Sequence, residues 1–379
     1  MKYICEYKIP VENEEERFYT LSTVDKASYI IDVLVRLGYS VEIVSPSYAK
    51  KTSKKRIDCI NDKITLISGF SLGWNNALTK VISRLSVMLW LFFYLLKNCK
   101  RGERVFIYHR VQNIPIFLLA KRLIGFEVVL EVEEFYSSLL DRKNWRRFLE
   151  YRMIRSASSY IFASEELEKR YNVNCKPYAI AYGAYNVPPY FSNKLNDGRI
   201  HVVYAGLIES GKVAFRSARI ATYLNSKYHI HIIGYGEQKD IDELMKEIEE
   251  IKSETECMIC YDGLKRGDDY LMFLQSCHIG ICPLTSNNTF QLACFPSKIT
   301  SYLTNGLTVI TTENPVLRNS KYSPFLVFVS KDTPDSFAEA LLGIKLDENQ
   351  SPRELIKNMD ASFCSSLAHM LSPQNKVYE

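Results

Sequence analysis

Three groups of residues in this 379-residue chain have the types and spacing to do chemistry. The first lies in Phe295-Pro-Ser-Lys-Ile-Thr-Ser-Tyr-Leu-Thr-Asn-Gly-Leu-Thr-Val-Ile-Thr-Thr312. That stretch reads as a helix start, a short helix, a glycine stop and a buried strand. Pro296 and Ser297 suit the first turn and the N-cap respectively. Gly306 suits the C-cap, and Leu307 to Thr312 is apolar and β-branched. Lys298 falls in the first turn, where free N–H groups and the helix dipole already favour an anion. The chemistry this predicts is a diphosphate cradle, as a nucleotide-sugar enzyme needs.

The second group is Leu130-Glu-Val-Glu-Glu-Phe-Tyr136, at the carboxyl end of a strand. Glu131, Glu133 and Glu134 would crowd there, and neighbouring carboxylates raise one another's pKa. Glu133 or Glu134 then suits a general base. The alternative is an acidic edge paired with Arg142 or Lys143. The third group, His109 and Arg110, follows another strand and suits an acceptor phosphate. No convincing Asp-x-Asp metal motif appears, and Asp268-Asp269 reads as a helix start, where carboxylates cap N–H groups. Cys257, Cys260, Cys277 and Cys282 have a spacing superficially like a zinc ribbon. However, Cys257 and Cys260 are three apart in a strand and so point to opposite faces. No metal and no cofactor are expected.

The elements that must position these groups alternate. In the first half, strands at Tyr3–Tyr7, Val41–Ser45, Lys63–Ile67, Val105–Tyr108, Glu127–Glu131 and Tyr160–Ala163 are interleaved with helices. These are Thr23–Leu37, Ala77–Cys99, Ile114–Leu123, Trp145–Arg155 and Glu165–Tyr171. The pattern breaks at Tyr182–Asn193, rich in Gly, Pro and Asn. It restarts with strands at His201–Ala205, His229–Ile233, Cys257–Tyr261 and His278–Pro283. Alternation of this kind predicts an α/β chain with two doubly wound Rossmann-like domains facing a cleft. The boundaries read as 1–185, a linker at 186–195, a second domain at 196–345, and a helical tail at 346–379 packing back on the first domain.

Composition bounds the setting. The net charge is +5, from 48 Lys and Arg against 43 Asp and Glu, and basic residues cluster in the first half. The clusters are Lys50–Arg56, Lys97–Arg104 and Arg142–Arg155. Solvated faces explain any one of them. Three together suggest an anionic partner, such as membrane lipid or a lipid diphosphate. Nucleic acid is not expected, since no recognised motif is present. Ten cysteines spread through apolar stretches fit a reducing cytoplasm. Residues Met1–Pro10 read as a first strand, not a signal peptide. The longest apolar run, Val87–Leu96, is short of a membrane span. It reads either as a core helix or as an interfacial one anchored by Trp90, Tyr94 and the basic run.

In its motifs the chain resembles GT-B fold glycosyltransferases of the family 4-like (group 1) type, and the resemblance covers nearly all of it. Tyr204-Ala-Gly-Leu-Ile-Glu-Ser-Gly-Lys212 is similar to the family's strand, glycine and lysine loop, which makes Gly206 and Lys212 donor-diphosphate residues. Ile232-Ile-Gly-Tyr-Gly-Glu237 is similar to its strand-end glycine pair, Gly234 and Gly236. The loop at Tyr261–Leu264, which holds Gly263, corresponds to the one that meets the nucleobase. The usual pair of glutamates eight apart is replaced by Ala293 and Ser301. Pro296, Lys298, Tyr302, Leu303 and Gly306 instead resemble a proline-x-lysine, tyrosine-leucine, glycine variant, as in galactofuranosyltransferase-like members. On that resemblance Lys298 binds the donor phosphate with Ser297 and Tyr302 beside it, and Asn288 on the preceding loop contacts the sugar. Arg17, after the first strand, joins His109 and Arg110 on the acceptor side.

The activity implied is metal-independent transfer of a sugar from a nucleotide-diphosphate donor to a glycan, lipid-linked acceptor. That suits surface (capsule) polysaccharide synthesis in the cytoplasm, at the inner membrane face. The alternatives are a nucleotide-sugar 2-epimerase and a non-catalytic GT-B-like partner subunit.

Overall fold

The computed structural model describes residues 1–9, 16–135, 144–191, 193–284, 295–346 and 351–372. The chain divides into two compact units, Met1–Ala184 with Ser362–Glu379, and Tyr185–Ala361.

The first unit is built on an eight-stranded sheet. Its strands are β1 (Lys2–Ile4), β2 (Val41–Ser45), β3 (Arg56–Asn61), β4 (Ile64–Ser68), β5 (Arg104–Tyr108), β6 (Glu127–Val132), β7 (Ser159–Phe162) and β8 (Tyr178–Ile180). They lie in the order β3-β4-β2-β1-β5-β6-β7-β8, all parallel except β3 against β4. The sequence reading has no β3, because Arg56–Asn61 is charged and almost wholly exposed. It is an edge strand made by pairing alone. Strand order reverses direction between β1 and β5, which places a switch point at their carboxyl ends. Helices α1 (Leu21–Arg36), α2 (Ala77–Asn98), α3 (Ile114–Ile124), α4 (Asn144–Ser156) and α5 (Glu165–Tyr171) cover the sheet.

The helix α2 has 22 residues, longer than the run read from sequence and long and apolar enough to cross a bilayer on length and composition. It is started by a capping box, in which Asn76 and Thr79 bond each other's backbone N–H. It packs through Ser83, Val87, Leu91, Tyr94 and Leu95. Trp90 and Tyr94, the anchors in the interfacial alternative, are engaged by the unit itself. The Trp90 ring lies against Gly69, where an added Cβ would come within 2.5 Å of it. Tyr94 is buried with its hydroxyl on Glu42.

The second unit has six parallel strands in the order β11-β10-β9-β12-β13-β14. They are β9 (Ile200–Ile208), β10 (Tyr228–Gly236), β11 (Met258–Tyr261), β12 (Ile279–Cys282), β13 (Thr308–Thr312) and β14 (Leu326–Val329). Helices α6 (Val213–Arg219), α7 (Gln238–Glu254), α8 (Gly267–Ser276) and α9 (Ser297–Thr304) connect them. One sheet face, with Val202, Tyr204, Ile230, Ile232, Ile259, Ile281 and Ile310, forms the apolar core under Phe215, Leu244, Ile248 and Phe337.

Here the switch point lies between β9 and β12. These strands pair only at Ile279 with Val202 and Gly280 with Val203. Beyond that they part, and Tyr302 from α9 fills the gap. Its fully buried hydroxyl accepts the Ala205 N–H at 2.8 Å and lies 3.5 Å from the Ile281 carbonyl. The ring crosses Gly280, where a Cβ would come within 2.5 Å of it.

Tyr302→Phe should therefore leave a buried N–H without its partner and lower stability by about 1–3 kcal/mol. Gly280→Ala, which forces the ring off its seat, should cost a similar amount, about 1–3 kcal/mol. Urea unfolding of both variants and of the pair tests this. Fully additive losses would mean that the ring and the glycine do not act together.

Candidate functional site

The carboxyl ends of β9 and β10 carry the glycines that the motifs singled out, and each has a steric reason. A Cβ on Gly234, whose φ is +145°, would lie 1.7 Å from the Gly206 carbonyl oxygen. One on Gly236 would lie 2.3 Å from the Ile208 carbonyl oxygen. The two strand ends touch backbone to backbone, which only glycine permits. The β10 end is also tied to the loop after β11. Gly234 N–H donates to the Gly263 carbonyl at 3.1 Å, and the Tyr261 hydroxyl donates to the Gly234 carbonyl at 2.9 Å. Tyr261 thus braces the loop that holds Gly263, which sits at φ +77°.

Gly206 has a different neighbour. The Lys298 ammonium lies where a Gly206 side chain would be, 2.3 Å from the built Cβ position. It donates to the Tyr204 hydroxyl at 3.0 Å and stands 4.2 Å over that ring's centroid. Pro296 is the N-cap of α9, and Ser297 is its exposed first residue, so the two roles read from sequence are exchanged. The first turn of α9, the Lys298 charge and the glycine at the end of β9 therefore meet at the switch point. Open-sheet α/β proteins bind ligands there.

Lys212 is the N-cap residue of α6 and pairs with Glu209 at 2.7 Å, with its side chain 62 % exposed. That pairing is made within its own loop. Tyr302 is enclosed below Lys298 and supports α9 rather than lining a surface. Ser301, where the resembled family has a glutamate, is hydrogen-bonded to Tyr270 of α8 at 3.1 Å. Asn288 lies outside the described residues, as do Asn13 and Ala293. Sequence reading missed Tyr204 as the partner of Lys298, although it stands two residues before Gly206 in the quoted motif. It also passed over Tyr235, 48 % exposed at the β10 end between the two glycines.

In the first unit a second polar group gathers at the carboxyl ends of β1, β5 and β6. Glu131, the fifth residue of β6, is buried and takes the Tyr3 hydroxyl. Burial first, and the Glu133 carboxylate second, push its pKa up to about 8. Glu133 meets Lys26, a buried lysine of α1. Arg142 and Lys143, the partners considered from sequence, lie outside the described residues. Glu134 offers its backbone to the His109 ring. His109 is buried 3.5 Å from the equally buried Glu150, and burial lowers its pKa to about 4. His109 is thus enclosed rather than presented to a ligand.

Arg110 keeps a partly open position and donates to Glu6 at 2.5 Å. Arg17 is buried, with one guanidinium nitrogen on the Ser47 carbonyl at 3.0 Å. It anchors the loop after β2 instead of facing outward. Lys26 and Glu6 were not singled out in the sequence. Only the fold brings them to these strand ends.

No protein-family model matches the chain, and no curated protein sequence is similar to it. Solved structures are similar in fold. Sucrose-phosphate synthase from Thermosynechococcus elongatus superposes with a TM-score of 0.70 over 97% of both chains at 11% identity. The E. coli trehalose-6-phosphate structure bound with UDP-2-fluoro glucose gives 0.64 over 97% of this chain and 99% of that one, at 11% identity. Anabaena HepE in complex with UDP and glucose gives 0.63 over 98% of both chains at 9% identity. The fold is GT-B. In this GT-B chain the two polar strand-end groups belong one to each doubly wound unit.

The Glu131 assignment has a consequence for stability. The carboxyl titrates near 8 in the folded chain against an ordinary value of 4.5. Between those values the folded state keeps a proton that the unfolded state has lost. Stability should therefore fall as pH rises through this window, by at most about 1.4 kcal/mol per unit. Glu131→Gln keeps an acceptor for Tyr3 and removes the titration, so its unfolding free energy should fall less from about pH 5 to 8. Identical pH profiles for variant and parent would refute the buried, protonated carboxyl.

Proposed function

We propose that the protein is a glycosyltransferase that moves a sugar from a nucleoside-diphosphate donor to a lipid-linked glycan at the cytoplasmic face of a membrane. The observation that carries the reading is the Lys298 ammonium over Gly206. It is a cation held by an aromatic ring, beside a helix start, at the switch point of a parallel sheet. Positive charge there stabilises a diphosphate as it leaves, the main electrostatic demand of sugar transfer. Structures of similar fold hold UDP with glucose, or UDP-2-fluoro glucose. The second unit is then the donor domain. Gly206, Gly234, Gly236 and Gly263 allow close approach of the donor, and the Tyr261 loop and Tyr235 meet the base. Lys212, released from Glu209, would add a second cation.

The first unit is then the acceptor domain. Glu133, half-buried at the end of β6, is the candidate base, because Glu131 is protonated at neutral pH. Glu134 serves His109 through its backbone. Arg110 is the candidate phosphate contact.

The membrane part of the proposal rests on the outer face of α2. Leu78, Val81, Ile82, Leu85, Leu89, Phe93 and Leu96 are all exposed, Leu78 by 71 % and Phe93 by 63 %. Their spacing of three and four makes one stripe. Helix α3 packs beside α2 and α4 beside α3, and they add exposed Leu119, Leu123, Trp145 and Phe148. Exposed Lys97, Lys100, Arg101, Arg122, Arg147 and Arg152 border these residues. An apolar face rimmed by cations suits an anionic lipid surface, into which the stripe would dip.

Two experiments separate these claims. Thermal shift across UDP-, GDP-, ADP-, CMP- and dTDP-sugars should find one class that stabilises the protein. Lys298→Ala should weaken that binding by roughly 10- to 150-fold, the worth of a charge-assisted contact. No shift with any nucleotide sugar would remove the donor site from the proposal, and a shift without turnover on lipid-linked acceptors would favour a non-catalytic subunit. In a vesicle sedimentation assay, the protein should bind phosphatidylglycerol-rich vesicles but not neutral ones. The triple change Leu85→Ser, Leu89→Ser and Phe93→Ser should cut binding by about tenfold or more without lowering Tm. Equal binding of variant and parent would rule out this face.

A further inference from the structure

A separate chemistry collects toward the amino-terminal ends of β9 and β10 and the carboxyl end of the short β11, on the sheet face opposite the apolar core. His201 is paired with His229, and His231 with Cys260. The alternation of side chains puts all four, with Asp262, on that one face. Four of the six histidines of the chain meet here. The His201 ring is 5.2 Å from that of His231, 5.3 Å from His229 and 5.7 Å from His278, and the His229 and His231 rings are 3.9 Å apart. His201 and His231 are buried.

The hydrogen-bond geometry poses a problem of proton counting. His201 Nε2 faces Asp197 Oδ1 at 2.9 Å, and His231 Nδ1 faces Asp262 Oδ2 at 2.9 Å. An ionised carboxylate can only accept, so each of those ring nitrogens carries its proton. In neutral rings the remaining nitrogens, His201 Nδ1 and His231 Nε2, are then bare lone pairs. They point at each other across 2.9 Å. Two lone pairs do not share such a distance without a positive centre between them. That centre is either an extra proton or a metal ion.

We propose that it is a divalent metal of the zinc class, held by His201 Nδ1, His231 Nε2 and a ring nitrogen of His229. The three rings each offer a ligand atom, all within 4.8 Å of one another. Tetrahedral zinc with imidazole donors about 2.0–2.1 Å away sets donors about 3.3 Å apart, so the histidine pair need open only by a few tenths of an ångström. The carboxylates fit the same reading. A metal-bound histidine ordinarily gives its other N–H to a carboxylate, which fixes the ring's orientation and raises its basicity. Asp197 and Asp262 do this on both sides. The Cys260 thiol is 3.2 Å from His229 Nε2 but donates to Asp262 Oδ2 at 3.2 Å, so the ligand set is the three imidazoles with water in the fourth place, and imidazole donors suit zinc-class ions over magnesium or calcium. The ion would staple the edge strand β11, β10, β9 and the loop holding Asp197. Its role is structural: through Asp262, which lies between Tyr261 and Gly263, it would also steady the loop after β11.

The test uses the full-length, untagged protein with exposed Cys59 and Cys175 changed to Ser, stripped with a chelator and titrated with Co2+. The expected result is about one Co2+ per chain with visible bands of a tetrahedral site, displaced by Zn2+, and a higher Tm with Zn2+. His229→Gln and His231→Gln should abolish the bands. Asp197→Asn leaves every donor in place and should weaken binding by about 10- to 100-fold. It carries the test if a histidine variant fails to fold. Absence of Co2+ bands together with an unchanged Tm in Zn2+ would overturn the proposal in favour of a shared proton. Undiminished binding by Asp197→Asn and the histidine variants would overturn it in favour of binding elsewhere.

Discussion

Much of the second unit depends on one hydroxyl. Strands β9 and β12 diverge after two registered residue pairs, and a parallel sheet that opens in its middle exposes backbone groups that must find partners. The Tyr302 hydroxyl takes the Ala205 N–H and approaches the Ile281 carbonyl, so the opening is bridged without being closed. Because the ring must cross Gly280 to reach that point, the start of α9 is fixed in place. The Lys298 ammonium then falls over Gly206. A crevice at a switch point and a cation placed in it are consequences of the same wedge.

The first unit solves a related problem with charge. Its strand ends collect Glu6, Glu131 and Glu133, and each receives a different partner. Arg110 meets Glu6, Tyr3 meets Glu131, and Lys26 meets Glu133. One carboxyl is protonated by burial while its neighbour faces a lysine, so crowding separates their behaviour rather than leaving three equivalent acids.

The long helix α2 shows how far composition can carry an argument. Its apolar residues circle the helix, so periodicity cannot choose between core and surface. Packing chooses for each face. Ser83, Val87, Leu91 and Leu95 face the unit, while Leu78, Leu85, Leu89 and Phe93 do not. The aromatic pair that seemed suited to a lipid interface went inward, since Gly69 leaves room for the Trp90 ring and Glu42 accepts the Tyr94 hydroxyl.

The sequence alone determined the alternation of strands and helices, the two doubly wound sheets, the glycine-bearing strand ends and the lysine in the first turn of α9. These are local properties, set by periodicity, β-branching, caps and stops over spans of about ten residues. It missed β3, whose residues are polar and exposed and which exists only because β4 offers an edge. It also missed Lys26 against Glu133, Tyr204 against Lys298, and the histidine cluster. Those partners stand 107, 94 and about 30 residues apart in the chain. No window along a sequence contains such pairs. They are decided by sheet register and by which helix covers which strand, so tertiary structure alone could decide them.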